Sequence, residues 1–357
     1  MPASPVTGPW TGDRTVTFRV SDADRVLTGV RLVQDARIPA DQLDFGRTAA
    51  GWELTIGRPP VARMEYLLEL RYPDGGTKIS TDPANPRQVP GAFGPKSVLE
   101  FPGYGPPPWL TAPASRGASL TFELPVLDDV MSVRVWSPAG VPDAEPLPLL
   151  LVHDGPEYDS LASLTRYLGA GLRGRWLPLL RAALLSPGPR NAWYSANARY
   201  ARALRQTVVT ALASRIGVSC RIGMGTSLGG LAMLHAYCRY PDSFDALFLQ
   251  SGSFFTPALD SQERRFPHYR RIIGFTADVH GGGLPARPVP VVMTCGATEE
   301  NAANNEFMAQ TLRAHDYSVA LHEVADMHNY TAWRDAFDPH LTRLLQQAPR
   351  LRAGDTV

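Results

Sequence analysis

Arg221-Ile222-Gly223-Met224-Gly225-Thr226-Ser227-Leu228-Gly229-Gly230 is the stretch whose reading decides the fold. An apolar strand over Cys220–Met224 turns sharply at Ser227. It continues as a helix through Leu231-Ala232-Met233-Leu234-His235-Ala236-Tyr237. Gly225, Ser227 and Gly229 satisfy G-x-S-x-G, and the glycines have a steric reason. A strand reversing into a helix within a few residues brings the two backbones too close for a Cβ on either side. The serine at the apex takes a strained conformation that lifts its hydroxyl out of the sheet.

Working outward, the flanking pattern is that of a doubly wound sheet. Leu147-Pro148-Leu149-Leu150-Leu151-Val152 is a continuous apolar run, as expected of a strand covered on both faces. Strands over 119–124 and 131–136 precede it, and a helix near 160–172 and a strand over 181–185 follow. Tyr200, Leu204, Val208 and Leu212 recur at helical spacing within 196–216. Beyond the serine come strands over 246–250, 289–294 and 319–324, with helices over 300–314 and 330–347. Residues 253–288 read as an insertion. Strands alternating with helices imply a mostly parallel, doubly wound α/β sheet.

Residues 13–101 read differently. Thr15–Val20, Gly29–Val33 and Trp52–Ile56 alternate at period two, Tyr66–Tyr72 follows, and Pro73-Asp74-Gly75-Gly76 makes a turn. Short strands at this spacing predict a β-sandwich of about a hundred residues. The proline- and glycine-rich connection Pro102–Pro113 is the expected boundary, giving domains 1–112 and 113–350.

Composition bounds the function. The 357 residues are 44% apolar and 19% charged, enough for a sizeable core, and a net charge of +1 argues against nucleic acid as a partner. No apolar run reaches the ~18 residues of a membrane span, and Met1-Pro2-Ala3-Ser4-Pro5-Val6 has no leader character. Cys220, Cys238 and Cys295 lack metal-ligand spacing and are expected to be free thiols of a reducing compartment. A cytoplasmic protein with no cofactor is expected, taking a small-molecule ester as its partner, with homo-oligomerisation left open.

A serine hydroxyl needs a base within reach and donors where the oxyanion forms. In α/β-hydrolases, whose elbow the G-x-S-x-G segment resembles, the partners follow in the order Ser, acid, His, each after a strand. Cys295-Gly296-Ala297-Thr298-Glu299-Glu300-Asn301 offers two carboxylates, and Ala325-Asp326-Met327-His328-Asn329-Tyr330 an imidazole. The expected triad is Ser227, His328 and Glu299. Glu300 is the rival acid, since it could instead serve the start of a helix. Asp326 is too near His328 in sequence for the usual arrangement. The Leu228 N–H is the expected first oxyanion donor. The second falls in His153-Asp154-Gly155-Pro156-Glu157-Tyr158, where Pro156 has no N–H and Gly155, Glu157 or Tyr158 must serve. Arg190 follows the fourth strand and is the candidate for anion recognition, with Trp193 and Tyr158 as candidate pocket walls. Arg264, Arg265, Arg270 and Arg271 form a basic cluster in the insertion.

Together these segments resemble the enterochelin (ferric enterobactin) esterase branch of the esterase D-like α/β-hydrolases over nearly the whole chain. Val152-His153-Asp154-Gly155 is similar to that family's oxyanion strand and loop, Gly225–Gly230 to its elbow, Cys295–Asn301 to its acid loop, and His328 with Trp333-Arg334 to its terminal motif. The resemblance implies an α/β-hydrolase domain behind an immunoglobulin-like, early-set sandwich, and a serine carboxylesterase acting on a catecholate siderophore trilactone or a related polar ester. It also selects Glu299 over Glu300. Two departures bear on the substrate: Ala192 stands where the family often has a glutamate, and Asp326, Met327 and Asn329 replace its usual residues around the histidine. The competing expectations are a carbohydrate or feruloyl-type esterase, and a catalytically inactive carbohydrate- or partner-binding protein.

Overall fold

The computed structural model describes residues 8–351; the segment read for a leader lies outside them. They divide into two compact units. One holds the chain to Gly105 together with Gly296–Glu300 and Val324–Ala332; the other holds the rest.

The first unit is built on two antiparallel sheets. One contains Trp10–Thr11, Thr15–Ser21, Gly51–Gly57 and Gly46–Arg47; the other contains Gly29–Gln34, Arg63–Arg71, Lys96–Glu100 and Gln88–Val89, with Thr77–Ser80 also paired to Arg63–Arg71. The alternation read from the sequence is the core pattern: Val16, Phe18, Val20, Val30, Leu32, Leu54, Ile56, Tyr66 and Leu68 are buried together. Trp52 is a core residue, with its indole N–H donating to Asp22 Oδ2 at 3.0 Å. Met327, from the second of the two late segments, is fully buried in this same core.

The second unit carries an eight-stranded sheet. Its strands are β1 (Gly117–Val126), β2 (Asp129–Pro138), β3 (Leu147–Val152), β4 (Arg181–Leu185), β5 (Val218–Thr226), β6 (Ala246–Gln250), β7 (Val291–Gly296) and β8 (Val319–Val324). Their spatial order is 1-2-4-3-5-6-7-8. β1–β2 and β2–β4 are antiparallel, and β4–β3, β3–β5, β5–β6 and β6–β7 are parallel. Every residue of β3, β4 and β6 is buried, which is why their sequences are continuous apolar runs rather than alternations. The order reverses beside β3, and in such sheets reactive groups gather at the carboxyl ends of the strands on either side.

The helices depart from the sequence reading in five places, one of them a short helix, Arg190–Tyr194, that follows β4. The helix after β3 begins at Gly155, directly after the strand, and breaks at Ser163, whose φ of 54° is left-handed. The segment 196–216 is helical but carries a π-turn over Leu204–Val209. The insertion holds a helix, Tyr269–His280, which buries Tyr269, Ile272, Thr276 and Val279. The final helix is interrupted at Asp338, which is extended and precedes Pro339, a residue that cannot continue the hydrogen-bond ladder. No helix among the described residues is long and apolar enough to cross a membrane.

Candidate active site

The turn at the end of β5 has the expected strain. Ser227 has φ 54° and ψ −124°, outside the regions open to most side chains, and precedes the helix Leu228–Arg239. A Cβ on Gly225 would lie 2.4 Å from the Gly229 carbonyl oxygen, so the close approach excludes any larger residue. The Ser227 N–H donates to the Gln250 carbonyl at 2.9 Å, and the Ser227 carbonyl accepts from Gly230 and Leu231. These bonds hold the strained residue from both sides. The half-buried hydroxyl lies 3.2 Å from Ser253 Oγ, itself buried, and the Ser253 N–H donates to the Ser227 carbonyl. Ser253 is absent from the sequence reading. The signal for it is its place three residues after β6, the parallel neighbour of the elbow strand.

The segment after β3 is locked to the elbow helix. His153 is fully buried; its Nδ1–H donates to the Gly229 carbonyl at 3.1 Å and its Nε2 accepts from the Tyr200 hydroxyl at 2.8 Å. Burial lowers its pKa to about 4, with the Gly229 hydrogen bond opposing, so the ring is neutral in its two-bond role. Asp154 follows in the left-handed region (φ 51°) and is buried. Arg190 grips its carboxylate with two bonds, Nε to Oδ1 and Nη2 to Oδ2, both 2.8 Å. Arg190 Nη2 also reaches the Thr226 carbonyl at 3.4 Å, next to the serine. This fork is the strong form of an ion pair, and it ties the strand end after β3 to the strand end before Ser227.

The helix start narrows the choice of oxyanion donors. Leu228 and Gly155 stand at first helical positions, where backbone N–H groups have no intrahelical acceptor. The Tyr158 N–H donates to the Asp154 carbonyl at 2.9 Å, which removes it from the candidates and leaves Gly155 and Glu157. Burial raises the Glu157 carboxyl above the usual carboxylate range, although its own backbone N–H favours the ionised form.

Glu299 and His328 meet in the other unit, 2.8 Å apart, His328 Nδ1–H donating to Glu299 Oε2. Glu299 is buried, with its other oxygen accepting from the Gly296 N–H at 2.8 Å, whereas His328 is about a third exposed. Glu300 is exposed and offers its carbonyl to Arg37. Asp326 is turned away into a buried cluster with Arg63 and Asn329. The three carboxylates are thus sorted: Glu299 pairs with His328, Glu300 faces solvent and Asp326 joins Arg63. Arg63, Arg37 and Asn329 have no sequence signal, because their partners lie some 260 residues away.

Other expected site residues sit elsewhere. Tyr158, expected as a pocket wall, is fully buried and donates its hydroxyl to Gln250 Oε1 at 2.8 Å. Trp193, the other expected wall, is buried and stacked on Tyr200 with centroids 5.3 Å apart. Both lie on the buried faces of short helices, Gly155–Ala162 and Arg190–Tyr194, where a large ring gains more by joining the core than by facing water. Arg264, Arg265 and Arg270 are exposed, and Arg271 donates to the carbonyls of Ser195 and Ala192. Cys220 and Cys295 are buried, the Cys220 thiol donating to the Ala348 carbonyl at 3.3 Å, and Cys238 is partly covered.

The sequence from 125 to 344 matches the family model Esterase, described as "Putative esterase". No curated protein matches the sequence. Among solved structures, enterochelin esterase from Shigella flexneri superposes with a TM-score of 0.74 at 18% identity, covering 95% of this chain and 96% of that one. Ferric enterobactin esterase from Salmonella typhimurium gives 0.73 at 20% identity, covering 97% and 98%. A ferulic acid esterase gives 0.52 at 14% identity, covering 67% of this chain and 98% of its own. The structural likenesses establish the fold, sandwich included, as the sequence resemblance implied. The family model spans more than half of the chain, and on that ground this protein belongs to the esterase family and is a carboxylic ester hydrolase.

Proposed function

We propose that the chain is a serine esterase in which Ser227 is the nucleophile, His328 the general base and Glu299 the acid that orients it. The observation that carries this reading is the Glu299–His328 hydrogen bond on the two loops that follow β7 and β8 of the sheet whose β5 ends in the strained Ser227. In the cycle, Ser227 Oγ attacks the ester carbonyl as its proton passes to His328 Nε2, while Nδ1–H stays on Glu299. The N–H of Leu228 and that of Gly155 or Glu157 receive the oxyanion. His328 then gives the proton to the leaving alkoxide, and water releases the acyl group by the same route.

For the substrate, we infer a polar ester of the catecholate trilactone type, whose ferric ion, when present, is cargo rather than a cofactor. Support comes from coverage: the enterobactin esterases match through both units, whereas the ferulic acid esterase accounts for 67% of the chain. A feruloyl ester is the second reading, favoured by that partial likeness. The test is hydrolysis of trilactone and feruloyl esters side by side by wild type and Ser227→Ala. Turnover of the trilactone that drops on the order of a millionfold in the variant supports the proposal. Preference for the feruloyl ester overturns the substrate, and full activity in Ser227→Ala, or no labelling of Ser227 by a fluorophosphonate, overturns the mechanism.

A further inference from the structure

The sandwich unit contains a buried charged cluster that the ester chemistry has not yet used. Arg63, the first residue of its strand Arg63–Arg71, is 1% exposed. Its Nη2 donates to Glu65 Oε1 at 2.9 Å, and its Nη1 donates to Asn329 Oδ1 at 3.1 Å and Asp326 Oδ2 at 3.4 Å. Glu65, Asp326 and Asn329 are all buried as well. One guanidinium thus spans two carboxylates and an amide, and two of those three groups flank His328 in the chain.

Further ties act on the same segment. Met327, directly before His328, is fully buried in the sandwich core. The Ala62 N–H donates to the Ala325 carbonyl at 2.6 Å. Asn329 Nδ2 donates to Asp326 Oδ1 at 3.1 Å, closing a brace beneath the histidine. The acid loop is held similarly: the Arg37 N–H donates to the Thr298 carbonyl at 3.0 Å and its Nη2 to the Glu300 carbonyl at 2.9 Å, one residue to either side of Glu299. Charged groups are almost never this deeply buried unless paired, and removing one partner of such a pair leaves the other desolvated and uncompensated, so the cluster has one favoured arrangement.

We propose that the β-sandwich is the mount of the catalytic histidine, with Arg63 as a positioning residue that fixes the 325–329 loop and, through it, the ring of His328. This inference rests on the Ser227–His328–Glu299 reading, and it assigns the sandwich a role in the chemical step rather than in binding polysaccharide. A displacement of about 1 Å in a catalytic group costs on the order of a hundredfold in rate, so a loop held at one end by a buried fork has a kinetic reason to be held.

The test is a double-mutant cycle on hydrolysis of an activated p-nitrophenyl ester, with thermal unfolding of each variant measured alongside. Arg63→Lys keeps the charge but cannot reach three acceptors at once. It is expected to lower kcat by about ten- to a hundredfold with KM nearly unchanged at temperatures where the variant is fully folded. In the His328→Ala background the same substitution is expected to have no further effect on the residual rate. If Arg63→Lys fails to fold, Asn329→Ala in the same cycle takes its place, because it removes one acceptor and leaves the ion pairs. An unchanged kcat accompanied by a lower Tm, or an equal loss in both backgrounds, overturns the positioning role and leaves the triad standing. An active His328→Ala enzyme overturns both.

Discussion

Removing the Arg190 side chain separates two roles for it, anion recognition and fixing of the strand end after β3. In the structure both of its bonds to Asp154 are 2.8 Å, and that carboxylate is 1% exposed while the guanidinium is 32% exposed. Breaking a fully buried pair costs about 3–5 kcal/mol, because the surviving charge is left without a partner. Since Arg190 is partly in water, about 2–3 kcal/mol is the fitting value. For a unit of this size that lowers Tm by roughly 5–10 °C. Arg190→Lys should recover little of it, because an ammonium cannot reproduce the fork. Kinetically, Asp154 is the residue before Gly155, so losing its grip loosens one candidate oxyanion donor. Loss of a whole donor is worth about 3–4 kcal/mol, and a loosened one is expected to lower kcat by roughly ten- to a hundredfold. The decisive assay compares a neutral p-nitrophenyl ester with an anionic ester. A positioning Arg190 lowers kcat equally on both. A rise in KM confined to the anionic ester, with Tm unchanged, would refute the reasoning and return Arg190 to substrate recognition.

Glu299→Gln should lower kcat by about a thousand- to ten-thousandfold, by analogy with the loss of the orienting carboxylate in other triads, while Glu300→Gln leaves it unchanged; steady-state kinetics on one ester decides between them. Ser253→Ala removes the hydroxyl 3.2 Å from Ser227 Oγ. A neutral hydrogen bond is worth about 1 kcal/mol, so a five- to tenfold change in acylation rate is expected, read as the rate of fluorophosphonate labelling. His235 is buried, and its pKa is lowered to about 4 by burial first and by Arg239 and Arg271 after it. Its folded pKa is below the unfolded value of about 6.5, so the unfolded chain binds the extra proton and stability falls as pH drops through 6.5 to 4. His235→Leu should therefore flatten the urea-midpoint curve in that window, by up to about 3 kcal/mol across it, and leave the slope above pH 7 alone. An unchanged slope between pH 4 and 6.5 would show that this ring is not excluded from protonation.

How much of the protein was legible before folding depended on the range of the signal. The apolar runs of β3, β4 and β6 could be bounded to the residue, because a strand buried on both faces reads as an unbroken apolar stretch, with a polar residue only at an end, Arg181 in β4 and Gln250 in β6. Ser227 with its glycines was legible because the turn's sterics act within five residues. The break at Ser163 was not, since a serine in the left-handed region has no local sequence signal, whereas Pro339 is itself the signal for the extended Asp338 before it. Tyr269–His280 carries helical spacing, but its polar and arginine-rich exterior hides it.

By itself the sequence determined the sheet, the tight turn at Ser227, the order of the loops that carry Glu299 and His328, and the presence of a separate β-sandwich. Tertiary structure alone decided where the rival carboxylates go, Glu300 to the surface and Asp326 to Arg63, while Glu299, which the family resemblance already favoured, meets His328; it also decided that Tyr158 and Trp193 are buried in the core. It also decided that an arginine of the sandwich braces the residues on either side of the histidine. The reason is physical: periodicity and turn chemistry are short-range, while the choice among neighbouring carboxylates is made by burial and by partners brought from 263 residues away.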